Sequence, residues 1–382
     1  MKRLLWVGDA VVASGFSRVT HSVLDRLKDS YDVHVLGVNY AGDPHEYDYP
    51  IWPARLGGDL LGVNRLAPVV ERIKPDIVLL FNDIWVVAQY LAKLEKYEGK
   101  TATYFPVDAA GYKEEWIKAL NSIDKVLVYT KFAQAVLRDA GYVYNATSIP
   151  HGIDPKDFHH IGGETARRHL PAITEDSFVV FNGNRNQPRK RIDITIKGFC
   201  IFAEQHPEAK LYLHTGLRDV GWDILSLMNR ECRNHNLVIG DRLIITNPNL
   251  SPANPVSVEQ LNVIYNACDV GLNTSLGEGW GLVSFEQAAC KVPQIVPNYS
   301  ACPEIFEGAA QMLPIRQYIT APGISTEGGL VYEEDVAEAL EWTYNNREAA
   351  AANAEVMYNR LQEPKYSWDT IAEQFKKELD TL

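Results

Sequence analysis

The sequence predicts an α/β protein with two domains, each built on a doubly wound parallel sheet. Short apolar segments alternate with helical segments along the 382 residues, a pattern typical of parallel sheets covered by helices. The chain is also longer than the size at which a single hydrophobic core stops growing. We therefore expect an N-terminal domain over residues 1–165 and a C-terminal domain over residues 170–365, with a polar linker from Pro155 to Pro171.

Composition narrows the class of protein. A hydrophobic fraction of 46% with 10% aromatic residues is ordinary for a globular chain, and no apolar run is long enough to cross a bilayer. Asp9 interrupts the apolar N-terminal stretch, so we expect a first β-strand there and not a signal peptide. The five cysteines contain no CxxC pair, which predicts a reducing, cytoplasmic location without a disulfide framework or zinc site.

The net charge of −12 argues against a general nucleic-acid-binding protein, which usually has a basic surface. The charge is uneven along the chain. Residues 1–165 contain 18 Lys and Arg against 21 Asp and Glu, whereas the remaining residues contain 19 against 28. The net charge of the N-terminal domain is thus close to zero, so a local basic groove that binds DNA remains an alternative for this domain.

The predicted elements place several polar residues after strands. In the N-terminal domain we predict strands at 4–7, 33–38, 76–81, 101–107 and 125–130, a loop from Gly8 to Gly15 before the first helix, and further helices at 61–73, 84–95 and 131–142. In the C-terminal domain we predict strands at 178–183, 210–216, 242–248 and 270–272 and a loop containing 328–332. We predict helices near 222–235, 258–269 and 335–347, and a further helix that ends at about Leu361. Ligands of doubly wound sheets bind at the carboxyl ends of the strands. Asp108 follows a strand directly, so it is a candidate ligand-binding residue or a turn cap.

The segment 269–306 organises the C-terminal domain. A buried strand leads into a loop, and a helix with an apolar face follows. Gly279 and Gly281 lack a Cβ and allow close approach of a ligand, and the first amides of the helix favour an anion such as phosphate. Glu278 and Glu286 flank that site, which suits a ligand that also carries hydroxyl groups. The alternative is an ordinary α/β turn with solvated acids.

The two glutamates around EGWGL, with PEIF further on, resemble the paired-glutamate signature of retaining GT-B glycosyltransferases, closest to family 4. This resemblance implies two Rossmann-like domains facing across a cleft, with a C-terminal helix over about 366–382 that crosses back to the N-terminal domain. It further implies that Glu278 contacts the donor sugar and that Glu286 binds the nucleotide ribose. The intervening backbone amides would bind the diphosphate; these residues are Gly279, Trp280, Gly281 and Leu282.

Arg185 and Lys190 match the R-x4-K pair of the same family, which neutralises the leaving diphosphate. Two fixed cations in a dry cleft would stabilise the negative charge that develops on a departing nucleoside diphosphate. The alternative is a solvated basic loop. Arg189 and Arg191 are the less favoured partners in this interpretation.

The resemblance also indicates residues in the N-terminal domain. Gly15 and Phe16 lie in SGFSRV, which resembles the glycine-rich first loop that approaches the donor. His151, in an HG-x-D turn, would approach donor phosphate or pack within the turn. Relatives often carry a histidine in the loop of Asp108, which is absent here, so Asp108 would orient the acceptor or the sugar, or only cap a turn.

The implied reaction is transfer of a sugar, with retention, from a nucleotide diphosphate sugar to a hydroxyl acceptor by a front-face mechanism. The donor is expected to be UDP- or GDP-linked, and neither a metal nor another cofactor is expected. The acceptor stays open among a saccharide or lipid-linked glycan, a small metabolite and a hydroxymethylated DNA base. We expect no integral membrane association and a monomer or homodimer.

Two other classes of protein compete with this interpretation. A glycan-binding scaffold without turnover would have a broken donor site, yet Arg185, Lys190, Glu278 and Glu286 are all present. A GT-B phosphorylase or a nucleotide-sugar epimerase is a second alternative; a phosphorylase needs a pyridoxal-binding lysine and usually a longer chain.

Overall fold

The computed structural model describes residues 1–55 and 57–382. They form two compact units, the first comprising Met1–Gly152 and Pro364–Leu382 and the second comprising Ile153–Glu363. Residues 153–165, which we predicted at the end of the N-terminal domain, lie in the second unit. Among the described residues, no helix combines the length and the apolar character needed to cross a membrane.

The first unit contains a parallel sheet. Its strands are β1 (Arg3–Asp9), β2 (Asp32–Val38), β3 (Ile51–Pro53), β4 (Ile77–Leu80), β5 (Lys100–Phe105), β6 (Lys125–Val128) and β7 (Thr147–Ser148). Their spatial order is β3-β2-β1-β4-β5-β6-β7, and every adjacent pair is parallel. The first strand lies between β2 and β4 and is almost wholly buried, as expected for an apolar strand inside a parallel sheet.

Helices connect these strands. They are α1 (Gly15–Leu27), α2 (Leu66–Ile73), α3 (Ile84–Lys93), α4 (Glu114–Leu120) and α5 (Lys131–Asp139). Helix α1 begins after Ser14, whose Oγ accepts a hydrogen bond from the Ser17 amide. Its buried face includes Val19, Val23 and Leu27, the apolar positions that predicted the helix.

The second unit contains a second parallel sheet and a hairpin. The strands are β8 (Phe178–Asn182), β9 (Ala209–Leu213), β10 (Leu243–Ile245), β11 (Val270–Leu272), β12 (Gln294–Pro297), β13 (Gln311–Leu313), β14 (Gln317–Thr320) and β15 (Glu327–Leu330). The sheet order is β10-β9-β8-β11-β12-β13, with all neighbours parallel, whereas β14 and β15 pair antiparallel. The chain therefore reverses its direction of winding between β8 and β11, and the crevice at such a point is where ligands bind.

The helices of the second unit are α6 (Gly163–Arg167), α7 (Ile192–Ala203), α8 (Ile224–Asn234), α9 (Ile239–Arg242), α10 (Val258–Ala267), α11 (Leu282–Ala288), α12 (Ala301–Phe306), α13 (Glu333–Asn345) and α14 (Arg347–Leu361). Buried apolar side chains of the sheet and of α7 form a core, among them Val180, Leu211, Ile196 and Phe199. This core supports the loops that follow β8 and β11.

The C-terminal segment returns to the first unit as α15 (Trp368–Asp380). Phe375 packs against Trp6 and Tyr104, with ring centroids 5.9 Å and 4.8 Å apart. Tyr31 donates a hydrogen bond of 2.5 Å to Asp380, and Lys125 pairs with Glu378 at 2.9 Å. The helix thus belongs to the core of the unit that holds residues 1–152, in agreement with the predicted return of the C-terminal helix.

Several predicted boundaries were wrong. Strand β5 ends at Phe105, not at 107, and α1 already begins at Gly15, so Phe16 lies in its first turn and not in a loop. The segment around 328–332, predicted as a loop, contributes β15 to the hairpin. Short strands such as β3 and β14 carry too few residues for an apolar period to reveal them.

Candidate functional site

Two loops of the second unit meet at the carboxyl ends of the neighbouring strands β8 and β11. The loop after β8 ends in a 3₁₀ turn, Pro188–Lys190, and the loop after β11 runs from Asn273 to Gly281. Main-chain contacts join them, because the Leu276 amide donates to the Arg189 carbonyl at 2.8 Å. The Thr274 hydroxyl also donates to the Arg191 carbonyl at 2.9 Å. The two loops are therefore joined into one platform.

The centre of this platform is an ion pair between Lys190 and Glu278. The Lys190 Nζ donates to Glu278 Oε1 at 2.6 Å and to Oε2 at 2.7 Å. The Asn273 amide donates to Oε1 at 3.1 Å, and Arg189 Nη1 lies 4.0 Å from Oε2. The carboxylate is thus surrounded by donors on both oxygens.

The environment determines the charge of Glu278. Burial alone would raise its pKa, but Lys190, Arg189 and the Asn273 amide outweigh burial and hold the pKa below the usual value. The carboxylate is therefore ionised at neutral pH and acts as a fixed negative charge and hydrogen-bond acceptor.

The glycine-rich end of the second loop brings the backbone close to helix α11. Gly281 has φ +87° and precedes the helix without a side-chain cap, so no side chain covers the first turn from that position. A Cβ on Gly183, after β8, would lie 3.0 Å from Val283 Cγ1 in that turn. The buried Trp280 packs edge-on against Phe285, with centroids 5.2 Å apart. Gly279 and Leu282 complete this segment.

Glu286 occupies a separate buried position on α11. Its Oε2 accepts a hydrogen bond of 3.0 Å from the Tyr265 hydroxyl of α10. The side chain is 3% exposed. The two predicted glutamates thus have different partners.

Arg185 is held by a partner that the sequence did not indicate. Its guanidinium pairs with Asp219 through contacts of 3.1 Å and 3.3 Å, while its side chain stays largely exposed. Arg189, which we ranked below Arg185, lies near Glu278 and donates to the Gly277 carbonyl at 3.1 Å. Arg191 pairs with Asp193 at 2.7 Å.

The remaining predicted residues lie in the first unit. Asp108 lies after β5 and is partly buried. Burial raises the pKa of the Tyr129 hydroxyl, and the negative charge of Asp108 raises it further. Gly15 begins α1 and is exposed. Phe16 packs on Phe81 with centroids 4.8 Å apart.

His151 is buried among aromatic rings of the first unit. Its ring lies 4.2 Å from Tyr129 and 6.2 Å from Trp368 between centroids. Burial lowers the pKa of this imidazole to about 3, so the ring is neutral at pH 7. This environment favours the packing alternative for His151 over the phosphate contact.

Two residues beside Glu278 were missed in the sequence. Asn273 donates to its carboxylate, and the Ser300 hydroxyl accepts a hydrogen bond from its main-chain amide at 2.8 Å. Asn273 follows β11 directly, a position that could have identified it. The position of Ser300 in the sequence gave no comparable indication of a contact with Glu278.

Comparison with known proteins gives matches to glycosyltransferases. A family model described as "Family 4 Glycosyltransferase in conflict systems" matches residues 256–375. The curated mannosylfructose-phosphate synthase of Agrobacterium fabrum (strain C58) is 27% identical over 149 residues, which cover 39% of this chain and 31% of that protein. The matched segment thus spans about a third of the relative.

Solved structures match over the whole chain. Sucrose-phosphate synthase from Thermosynechococcus elongatus has a TM-score of 0.78 at 17% identity, covering 100% of this chain and 99% of that one. Anabaena HepE, solved with UDP and glucose, has a TM-score of 0.74 at 15% identity and covers 100% of both chains. At these identities the matches establish the fold.

These findings confirm the predicted resemblance to family 4 glycosyltransferases and the GT-B fold. The roles of the individual site residues stay predictions.

Proposed function

We propose that this chain, which resembles the family 4 glycosyltransferases, transfers a sugar from a nucleotide diphosphate sugar to a hydroxyl acceptor with retention of configuration. The observation that carries the proposal is the buried Lys190–Glu278 pair at the junction of the loops after β8 and β11. A fixed carboxylate accepts from sugar hydroxyls, and an adjacent fixed cation attracts the diphosphate. Retention is supported by the family resemblance alone.

The donor is proposed to be UDP- or GDP-linked. HepE of Anabaena, whose fold is similar, has been solved with UDP and with UDP-glucose. In this chain Lys190 would share its ammonium group between Glu278 and the β-phosphate, and Arg189 or Arg185 would add further positive charge. Glu286 would bind the ribose hydroxyls beside Tyr265.

The proposed chemical step is a front-face substitution. The bond between the anomeric carbon and the β-phosphate oxygen breaks, and its electron pair stays on the leaving nucleoside diphosphate. The acceptor oxygen forms a bond to the same face of the anomeric carbon, while the leaving phosphate accepts the acceptor's proton. The carboxylate of Glu278 would stabilise the positive charge that develops on the sugar ring.

Metal independence belongs to the same proposal. The cations of Lys190 and Arg189 lie beside Glu278 and could neutralise a diphosphate without Mg²⁺. We expect turnover to persist in excess EDTA at the rate measured with Mg²⁺. A rate that requires added metal would contradict this part of the proposal and leave the transfer itself intact.

The experiment that tests the donor site is a panel of UDP-, GDP-, ADP- and TDP-linked sugars, measured by thermal shift and by donor hydrolysis without acceptor. A ligand that binds the folded state raises the melting temperature by mass action. We expect one nucleotide class to give a clear shift, abolished in Lys190→Met. Lys197→Met is the matched control, because Lys197 lies in the same unit and its partly buried ion pair, at 3.4 Å, is with Glu333.

The same panel of nucleotide sugars also distinguishes the proposed function from the competing ones. If neither nucleotide sugars nor free nucleotides bind, the glycosyltransferase proposal fails and a non-catalytic scaffold is favoured. If a donor binds, acceptors are screened next with saccharides, sugar phosphates and DNA containing hydroxymethylated bases. The anomeric configuration of the product, read by NMR, tests retention.

A further inference from the structure

Ser300 has a backbone conformation that side chains rarely adopt. It lies between β12 and α12 with φ 53° and ψ −123°, and it is buried. Positive φ at a residue with a Cβ is strained and persists only where the surrounding structure enforces it. Glycine would adopt this conformation without that strain. We therefore asked which contact of the serine side chain could offset this strain.

The hydroxyl of Ser300 contacts the backbone of Glu278. Its Oγ accepts a hydrogen bond of 2.8 Å from the Glu278 amide, 22 residues earlier in the sequence. The next residue, Ala301, donates its amide to the Glu278 carbonyl at 3.3 Å. Both backbone groups of Glu278 are thus tied to the turn between β12 and α12.

The hydroxyl is not used in the usual way for its position. A serine before a helix commonly caps the first turn with its own side chain. Ser300 precedes α12 but makes no side-chain cap hydrogen bond to that helix. The hydroxyl oxygen of Ser300 accepts a hydrogen bond from the Glu278 amide instead.

We propose that Ser300 is the positioning residue for Glu278. It fixes the backbone of that residue, so that the carboxylate meets Lys190 and the donor sugar in one orientation. This inference rests on the proposed glycosyl transfer for its catalytic consequence, but the contact itself can be tested without any substrate.

The first test is hydrogen exchange at the Glu278 amide in the unliganded protein, resolved by fragmentation mass spectrometry. Ser300→Ala and Ser300→Gly both remove the acceptor, and we expect exchange to accelerate about five- to tenfold in both. Ser325→Gly is the control, because Ser325 is exposed and has φ 61° without this contact. Unchanged exchange in both Ser300 variants would overturn the proposal.

The second test is kinetic and uses the donor identified by the panel. We expect kcat to fall about five- to tenfold in both Ser300 variants, with the donor KM within about twofold of wild type. Ser300→Gly also relieves the backbone strain, so its melting temperature should equal or exceed that of Ser300→Ala. If Ser300→Ala does not fold, the kcat of Ser300→Gly alone tests the positioning role of Ser300.

The outcomes separate the two proposals. Wild-type kcat in a Ser300 variant with accelerated exchange would show that the contact does not position a catalytic group. An equal fall in kcat for Ser325→Gly would also contradict the inference. If the wild-type protein turns over no donor, the proposed function fails, while the exchange measurement still decides whether Ser300 holds Glu278.

Discussion

The Nζ of Lys190 lies within 2.7 Å of both carboxylate oxygens of Glu278, and the two side chains are only 10% and 7% exposed. Ionised groups this deeply buried are stable only when paired, because removal from water is costly for each of them. Loss of either partner would therefore leave an uncompensated buried charge in the second unit, at the proposed donor site.

The first prediction concerns stability. Lys190→Met should lower the free energy of unfolding by about 3–5 kcal/mol, because it leaves a buried carboxylate unpaired. The double variant Lys190→Met/Glu278→Gln should lose less than the sum of the single variants, with a coupling of about 1–3 kcal/mol. Urea unfolding of all four proteins measures this cycle.

The matched control for that cycle is Lys118→Met. Lys118 pairs with Glu114 on the surface, where both side chains are more than 70% exposed. We expect no measurable change in this variant, since exposed pairs contribute little. Strict additivity of the Lys190 and Glu278 substitutions would contradict the predicted coupling.

The second prediction concerns the role of Glu278 in turnover. Glu278→Gln keeps the shape of the side chain but removes the charge, so kcat for the identified donor should fall about 100-fold or more. Glu307→Gln, an exposed substitution in the same unit, should leave kcat unchanged. A loss of less than tenfold for Glu278→Gln would be too small for a group that stabilises the transition state.

The third prediction separates the two glutamates. If Glu286 binds the ribose equally in the ground and transition states, Glu286→Gln should raise the donor KM about tenfold with kcat nearly unchanged. Tyr265→Phe removes the hydrogen bond to Glu286 and should produce a smaller rise. Steady-state kinetics of both variants checks this, and a fall in kcat at constant KM would argue against the ribose role.

The fourth prediction is a pH dependence of stability caused by His151. Its folded pKa of about 3 lies below the ordinary value of 6.5, so the unfolded chain binds the proton first. Stability should therefore fall as pH drops from about 6.5 towards 3, with a contribution of up to about 1.4 kcal/mol per pH unit. Urea unfolding across this range measures it.

His151→Phe should flatten that dependence, because the substitution keeps an aromatic ring in the cluster and removes the titrating group. The exposed His169→Phe is the control and should retain the wild-type slope. An unchanged slope in His151→Phe would show that other groups carry the acid sensitivity.

The sequence by itself determined the class of fold and the loops that form the site. The apolar strands, the helical periods and the glycines at 279 and 281 are local features, and each indicates its element without reference to the rest of the chain. Because parallel strands carry ligands at their carboxyl ends, the positions of Lys190 and Glu278 after β8 and β11 could also be read directly.

Only the tertiary structure decided which of these groups meet. Lys190 and Glu278 are 88 residues apart, and their contact depends on β8 and β11 being neighbours in the sheet. The same holds for Arg185, which pairs with Asp219 and not with the carboxylate at the centre.

Ser300 and His151 show the same limit for single residues. Nothing in the residues around Ser300 indicates a positive φ or a contact with Glu278, since both depend on how β12 and the second loop pack. His151 lies in a turn that the resemblance associates with donor phosphate, yet it is buried among aromatic rings of Tyr129, Tyr104 and, from α15, Trp368. Local chemistry is encoded by neighbours in sequence, whereas burial and pairing are decided by neighbours in space.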